Sequence, residues 1–238
     1  MNLDAKAKEI RREILERALR IGKGHVASSL SWVEIAVALF YGVMKPGDRF
    51  VLSKAHGHLT LDAILDDLGT KADKLMWPGW PAVCSGSLGQ GLGMAAGIAL
   101  AHKIDGNPAR TFCVLSDAEL HEGAIWEAAM FAAHHRLDNL VAIIDDNEQS
   151  CANFTRDVLN LNSIRDKFRA FGWATQKGGG HNFRYLRRYL GPQTCYWPRM
   201  LQAMTTKGKG IPYMEGNPAW HHNLPTGELI DIAREALK

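Results

Sequence analysis

The sequence predicts an α/β fold, a mostly parallel sheet with helices on both faces, and three observations within residues 112–147 carry that reading. An apolar run over residues 112–115 stops abruptly at Ser116-Asp117. A second apolar run, residues 140–144, stops at Asp145-Asp146-Asn147. Between them Ile125, Trp126, Ala129, Met130 and Ala133 recur at the three-four spacing of one helical face. Two buried strands joined by a helix of this length form a right-handed βαβ unit, which makes the strands parallel. Both polar clusters then fall at one edge of the sheet, where open α/β sheets bind their ligands. A carboxylate and an amide oxygen meeting there suit Mg²⁺ holding a phosphate group, although Asp and Asn are also ordinary residues of strand-end loops.

In chain order, Ile10, Ile14, Ala18 and Ile21 mark one face of a helix over residues 4–21, which packs on the domain. Ser31 and Glu34 have capping-box spacing and are expected to open a second helix through Met44. Residues 48–59 read as a short strand and a loop, opening a helix to Leu68. Over residues 86–106, Gly89, Gly93, Gly97 and Ala101 recur every fourth position. Glycine inside a helix costs about 1 kcal/mol relative to alanine, so this stripe signals close approach by a backbone or a ligand. A helix is expected at residues 167–171 and a strand at 173–176, followed by the loop Gly178-Gly179-Gly180-His181. Asn182 can cap the next helix. The last strand is placed at residues 200–206 and a terminal helix at 227–238.

Composition narrows the function classes. The 238 residues suffice for one large domain with a sizeable core, expected to span 1–238. An apolar content of 46% and a charged content of 22% are ordinary for a soluble globular protein. A net charge of +3 without a basic block argues against nucleic acid, and no apolar run approaches a membrane span. The N-terminal MNLDAKAKEIRREILERALR reads as a charged amphipathic helix rather than a signal peptide. Cys84, Cys113, Cys151 and Cys195 lie far apart without paired metal spacing, which favours a cytoplasmic compartment.

The stretch SDAELHEGAIWEAAMFAAHHRLDNL, closed by Asn147, resembles the thiamine diphosphate motif of the transketolase family, with Ser116 and Ala118 at its two usual glycines. GHVASSLSWVEIAVALFYGVM resembles the family's N-terminal segment, whose histidine, here His25, reaches the sugar. The loop Ser53-Lys54-Ala55-His56-Gly57 resembles one in which the histidine contacts the diphosphate, although the usual Asn-Gly is Lys54-Ala55. GSLGQGLGMAAGIALAHKIDG is similar to the glycine-rich helix start that borders cofactor and subunit interface, with Gly86, Ser87, Leu88, Gly89 and Gln90 as the matching residues. Lys207-Gly208-Lys209-Gly210 and Asn217-Pro218-Ala219-Trp220-His221 resemble the ending that carries an active-site histidine, here His221; His222 stands where the family usually has glycine. Residues 71–83 depart most: the family's longer loop with a catalytic histidine is replaced by Trp77 and Trp80 around Pro78-Gly79, which implies a shortened, altered substrate mouth. His58 and His181 have structural readings only.

The resemblance implies the thiamine diphosphate-binding fold in its diphosphate-binding form. It implies cofactor contacts from His56, Gly86, Ser87, Leu88, Ser116, Asp117, Ala118, Glu119 and Asn147. Mg²⁺ would be held by Asp117, Asn147 and the backbone carbonyl of Gln149, with His25 and His221 as catalytic groups. The chain looks like the N-terminal subunit of a split transketolase, a transferase moving a two-carbon ketol unit from a ketose, phosphorylated or not, to an acceptor. It would act only with a C-terminal partner subunit that carries the pyrimidine-binding domain, in an α2β2 assembly. Two alternatives stay open. One keeps the cofactor but passes the two-carbon unit to a carrier-protein or lipoyl thiol, or takes a 2-oxo acid substrate as dehydrogenase first components do. The other is a non-catalytic scaffold, against which Asp117, Asn147, His25, His56 and His221 together count.

Overall fold

The computed structural model describes residues 1–69, 82–151 and 153–238. Among the described residues six strands form one parallel sheet: β1 (Arg49–Leu52), β2 (Ala82–Cys84), β3 (Thr111–Ser116), β4 (Leu140–Asp146), β5 (Ala174–Gly179) and β6 (Arg199–Met204), in the order β2-β1-β3-β4-β6-β5. From β1 the chain crosses outward to β2, whereas from β3 it crosses the other way to β4. The connections diverge between β1 and β3, and the crevice beyond their carboxyl ends is where such sheets bind ligands. The βαβ unit read from the sequence is β3, α6 (Gly123–His134) and β4, with Ser116 paired to Asp145 in register.

Side-chain alternation divides the interior into two layers. Phe50, Leu52, Phe112, Val114, Val141 and Ile143 face one way and pack on α1 (Leu3–Ile21), α2 (Val26–Ser31), α3 (Val33–Ala38), α4 (His58–Asp67) and α9 (Phe183–Leu190). Val51, Cys113, Leu115, Ala142 and Ile144 face the other way, onto α5 (Gly91–Ile104), α6 and α8 (Ile164–Ala170). Strands covered on both faces read as continuous apolar runs, which explains why β3 and β4 are so legible. A short α7 (Thr155–Val158) and a terminal α10 (Glu228–Ala236) complete the elements; no helix among the described residues is long and apolar enough to cross a membrane.

Several expectations are corrected. The second helix begins at Val26, directly after His25, breaks at Trp32 and ends in a π-turn over Leu39–Val43. The capping box does not form, because both of its side chains are engaged across the fold. Ser31 donates to the Asp145 carboxylate at 2.7 Å, and Glu34 accepts from Arg11 at 2.7 Å and pairs with His181 at 2.8 Å. Met130 is 49% exposed, because α6 buries Ala128 and Ala132 beside Ile125, Ala129 and Ala133 instead. Gly89 lies in the turn before α5 at φ +88, where a Cβ would also meet Glu122 at 2.8 Å. Gly93 and Gly97 are on α5 but face open space. Gly178 and Gly179 belong to β5 rather than a loop; a Cβ on Gly178 would fall 2.2 Å from the Tyr185 ring, so glycine there admits the ring. β2, only three residues long, carries no periodic signal. Of the substrate-mouth expectation, residues 71–81, including Trp77 and Trp80, lie outside the described residues.

Candidate active site

The acidic end of the site is built where β3 and β4 stop. Asp117 continues the ladder, its N–H donating to the Asp145 carbonyl at 3.3 Å. Its side chain turns back, Oδ1 accepting from the Ala118 N–H at 2.9 Å and starting a 3₁₀ turn over Ala118–His121. The other oxygen, Oδ2, is buried and has no hydrogen-bond partner among the described residues. Burial, with the neighbouring Asp146 and Asp145 carboxylates, holds the Asp117 pKa well above the usual carboxylate range. Its two neighbours are already satisfied: Asp145 is ion-paired with Lys54 and accepts from Ser31 and Thr205, and Asp146 accepts from Gln202 at 2.6 Å. Asn147 donates to Ser31 at 3.0 Å and accepts from the Gln149 N–H at 3.2 Å, and Gln149 is buried with its side-chain oxygen also unpartnered among the described residues. A buried carboxylate oxygen with no N–H to answer it among the described residues, at the same strand edge as the Asn147 amide, suits a hard divalent cation.

Opposite this end stand the histidines, each on a different connection. His25 is the N-cap residue of α2, His56 lies in the 3₁₀ turn Ala55–Gly57 after β1, and His221 ends the 3₁₀ turn Pro218–Trp220. Their ring centroids are 5.2 Å apart for His25 and His221, 6.2 Å for His25 and His56, and 6.0 Å for His56 and His221. Burial pushes His56 down to about 2, helped by Lys54, and pushes His221 down to about 3, helped by Lys207. His25 is lowered by burial and by His222, His58 and Lys207. All three are therefore neutral imidazoles near pH 7. Lys207, buried, meets His221 Nδ1 at 2.7 Å and donates to the Ser150 carbonyl at 2.9 Å; burial and Lys54 bring it down to about 8.

The family model for the transketolase thiamine diphosphate binding domain matches residues 79–237, and that for 1-deoxy-D-xylulose-5-phosphate synthase matches residues 1–64. The chain is 35% identical to one of the subunits of the apulose-4-phosphate transketolase of Phocaeicola vulgatus, over 97% of this chain and 92% of that protein. The chain belongs to the transketolase family. It is 37% identical to the 6-deoxy-6-sulfo-D-fructose transketolase subunit SqwG of a Clostridium species, covering 98% of this chain and 95% of that one. Against human transketolase the identity is 34% over 96% of this chain but only 41% of the human protein. Among solved structures, transketolase from Leishmania mexicana superposes with a TM-score of 0.88 at 24% identity, covering all of this chain and 41% of that one, a likeness of fold.

Within this transketolase domain the remaining predicted residues take different parts. Gly86, Ser87 and Leu88 form an exposed loop after β2, reaching out from the same carboxyl edge. Ser116 accepts the Glu119 N–H on its hydroxyl at 3.2 Å and so caps the turn that Ala118 begins. Glu119 is fully buried, and its carboxylate is spent on Gly89 N–H at 2.8 Å, on Ser53 and on Ser116 N–H. It ties three loops together instead of facing a ligand. His58 pairs with Asp62 at 2.8 Å, and His181 joins Glu34 to the Thr206 N–H; both are structural, as read from the sequence.

Some functional candidates escape a reading of the sequence. Lys207 sits in the quoted Lys-Gly-Lys-Gly, yet only the fold brings it against His221. Ser28, shortly after His25 in the chain, has a buried hydroxyl without a partner among the described residues. Lys54, noted as a departure from the family loop, is fully buried on Asp145, which also receives Ser31. The lysines' buried partners have no signature in local sequence.

Proposed function

We propose that the chain is the thiamine diphosphate-binding, N-terminal subunit of a transketolase-like transferase, moving a two-carbon ketol unit from a ketose donor to an acceptor. The observation that carries this reading is convergence: a buried Asp117 carboxylate, one oxygen of which has no partner among the described residues, and three neutral histidines, His25, His56 and His221, gather at the carboxyl edge of the sheet. Asp117, Asn147 and the Gln149 carbonyl are the groups that would hold Mg²⁺, and the orphaned Asp117 oxygen supports that assignment. Thiamine diphosphate, when bound, supplies the electron sink for a two-carbon carbanion. His56 would face the diphosphate, and Lys207 adds positive charge beside Asp117. His25 and His221 would exchange a proton with the sugar hydroxyls, each being uncharged near neutral pH.

Relatives named as transketolase subunits support a second polypeptide, which would bring the pyrimidine side of the cofactor in an α2β2 assembly. The purified chain should show no ketol transfer with cofactor, Mg²⁺ and ketose, and should gain it when the partner polypeptide is added. Full turnover by the chain alone would refute the split-enzyme reading. Failure of the assembled pair to bind thiamine diphosphate would refute the cofactor assignment.

A further inference from the structure

His222 is left over from the proposed machinery, yet it stands closer to His25 and His221 than His56 does. Its ring centroid lies 4.6 Å from that of His25 and 4.5 Å from that of His221, and the three rings are steeply inclined to one another, at 60°, 75° and 82°. One ligating atom from each of the three lies within 4.8 Å of the others. Stacked rings would hide their in-plane lone pairs from a common point; inclined rings can aim them at one. We propose that His25, His221 and His222 form a binding site for a borderline transition-metal ion, Zn²⁺ foremost, distinct from the oxygen-donor site at Asp117.

Three imidazole nitrogens with a fourth position open is the donor set of an accessible zinc site, and it is a poor one for Mg²⁺, which takes oxygen. Zn–N bonds of about 2.0–2.1 Å put tetrahedral donors about 3.4 Å apart. The triad must therefore close by little more than an ångström, and the exposed His222 is the member free to swing. Two further features fit. Lys207 lies 2.7 Å from His221 Nδ1, a contact that fixes the orientation of the ring. His25 and His222 also line a cleft of about 510 Å³, shared with Lys23, His58 and Asn223, which gives the ion a route in from solvent. An ion held here would occupy the lone pairs that His25 and His221 need for proton transfer, so it would inhibit ketol transfer. That consequence rests on the function proposed above, whereas the site itself rests on the three rings.

The test titrates Co²⁺, then Zn²⁺, into the chain with saturating Mg²⁺ and follows the visible absorption of cobalt. A tetrahedral site gives an intense d–d band that stoichiometric Zn²⁺ abolishes. His222→Ala should lose the band, bind Zn²⁺ on the order of 100-fold more weakly by chelator competition, and keep the wild-type melting temperature. In the assembled enzyme it should retain metal-free turnover and become resistant to Zn²⁺. A weak octahedral spectrum in the wild type, or Zn²⁺ affinity unchanged in His222→Ala, overturns the site. An intact cobalt band in a chain that supports no ketol transfer with any partner keeps the site and sinks the enzymatic reading instead.

Discussion

Asp117→Asn should strengthen the cofactor-free protein while destroying its response to the metal. The wild-type carboxylate is buried, with one oxygen on the Ala118 N–H and the other on nothing described, and Asp145 and Asp146 stand beside it. Leaving a buried polar group unsatisfied costs about 1–3 kcal/mol. The isosteric amide removes the charge that burial and the neighbouring Asp145 and Asp146 oppose, so it should recover a gain of that order. At about 2–4 °C per kcal/mol for a chain of this size, the apo variant should melt about 2–12 °C above the wild type. The sign with pH follows from the raised carboxylate pKa. Below the unfolded value of about 3.9 both states hold the proton and nothing is lost. As pH rises from there toward the folded value, the unfolded chain releases its proton first and wild-type stability falls. The advantage of the variant should therefore widen from acid to neutral pH. With Mg²⁺ and thiamine diphosphate at 100 times their dissociation constant, the wild type should gain about 2.7 kcal/mol and the variant almost nothing, which closes or reverses the gap. Thermal melts across pH, with and without both ligands, read all of this. An apo variant that melts below the wild type, or one that responds to Mg²⁺ as the wild type does, would show that the Asp117 oxygen is not waiting for a cation.

Replacing His25 or His221 by alanine should lower turnover of the assembled enzyme by about 10²–10⁴-fold with cofactor affinity little changed; loss of cofactor with normal saturated turnover would reassign the ring. Because His221 is pushed down to about 3, it stays unprotonated at pH 5, so an acid limb of the rate profile that vanishes in His221→Ala would contradict its neutral state. Lys54→Met strands the fully buried Asp145 charge and should cost about 3–5 kcal/mol in denaturant unfolding. Lys54→Met with Asp145→Leu should recover much of that loss; a double variant as unstable as the sum of the singles would deny the pairing. Gly178→Ala drives a methyl toward the Tyr185 ring and should destabilise by about 1–3 kcal/mol, and a neutral result would mean the ring moves aside freely.

Features governed by short-range order are readable from the chain. The apolar runs of β3 and β4 end in polar residues, so Asp117 and Asn147 can be assigned to one edge without a structure. His25, His56 and His221 can be picked out because each sits in a distinctive local motif, and the fold does bring them together. The capping box over Ser31 and Glu34 fails for a physical reason: the helix has already begun at Val26, so Ser31 stands at its end and not at an N-cap, and Arg11 and His181 take the Glu34 carboxylate. Glu119 likewise looks like a ligand because it follows the motif aspartate, but Gly89 and Ser53 claim its oxygens.

By itself, then, the sequence determined the parallel α/β sheet, the edge at which the chemistry sits, and most of the residue types gathered there. Periodicity and strand ends are properties of neighbouring residues, and they survive without the fold. Only the tertiary structure decided which charges are answered. Lys54 meets Asp145 across 91 positions, Lys207 reaches His221, one Asp117 oxygen finds no partner among the described residues, and His222 closes a triad with His25 across nearly the whole chain. Those pairings depend on which loops the sheet order sets side by side, and nothing in the local sequence encodes that order.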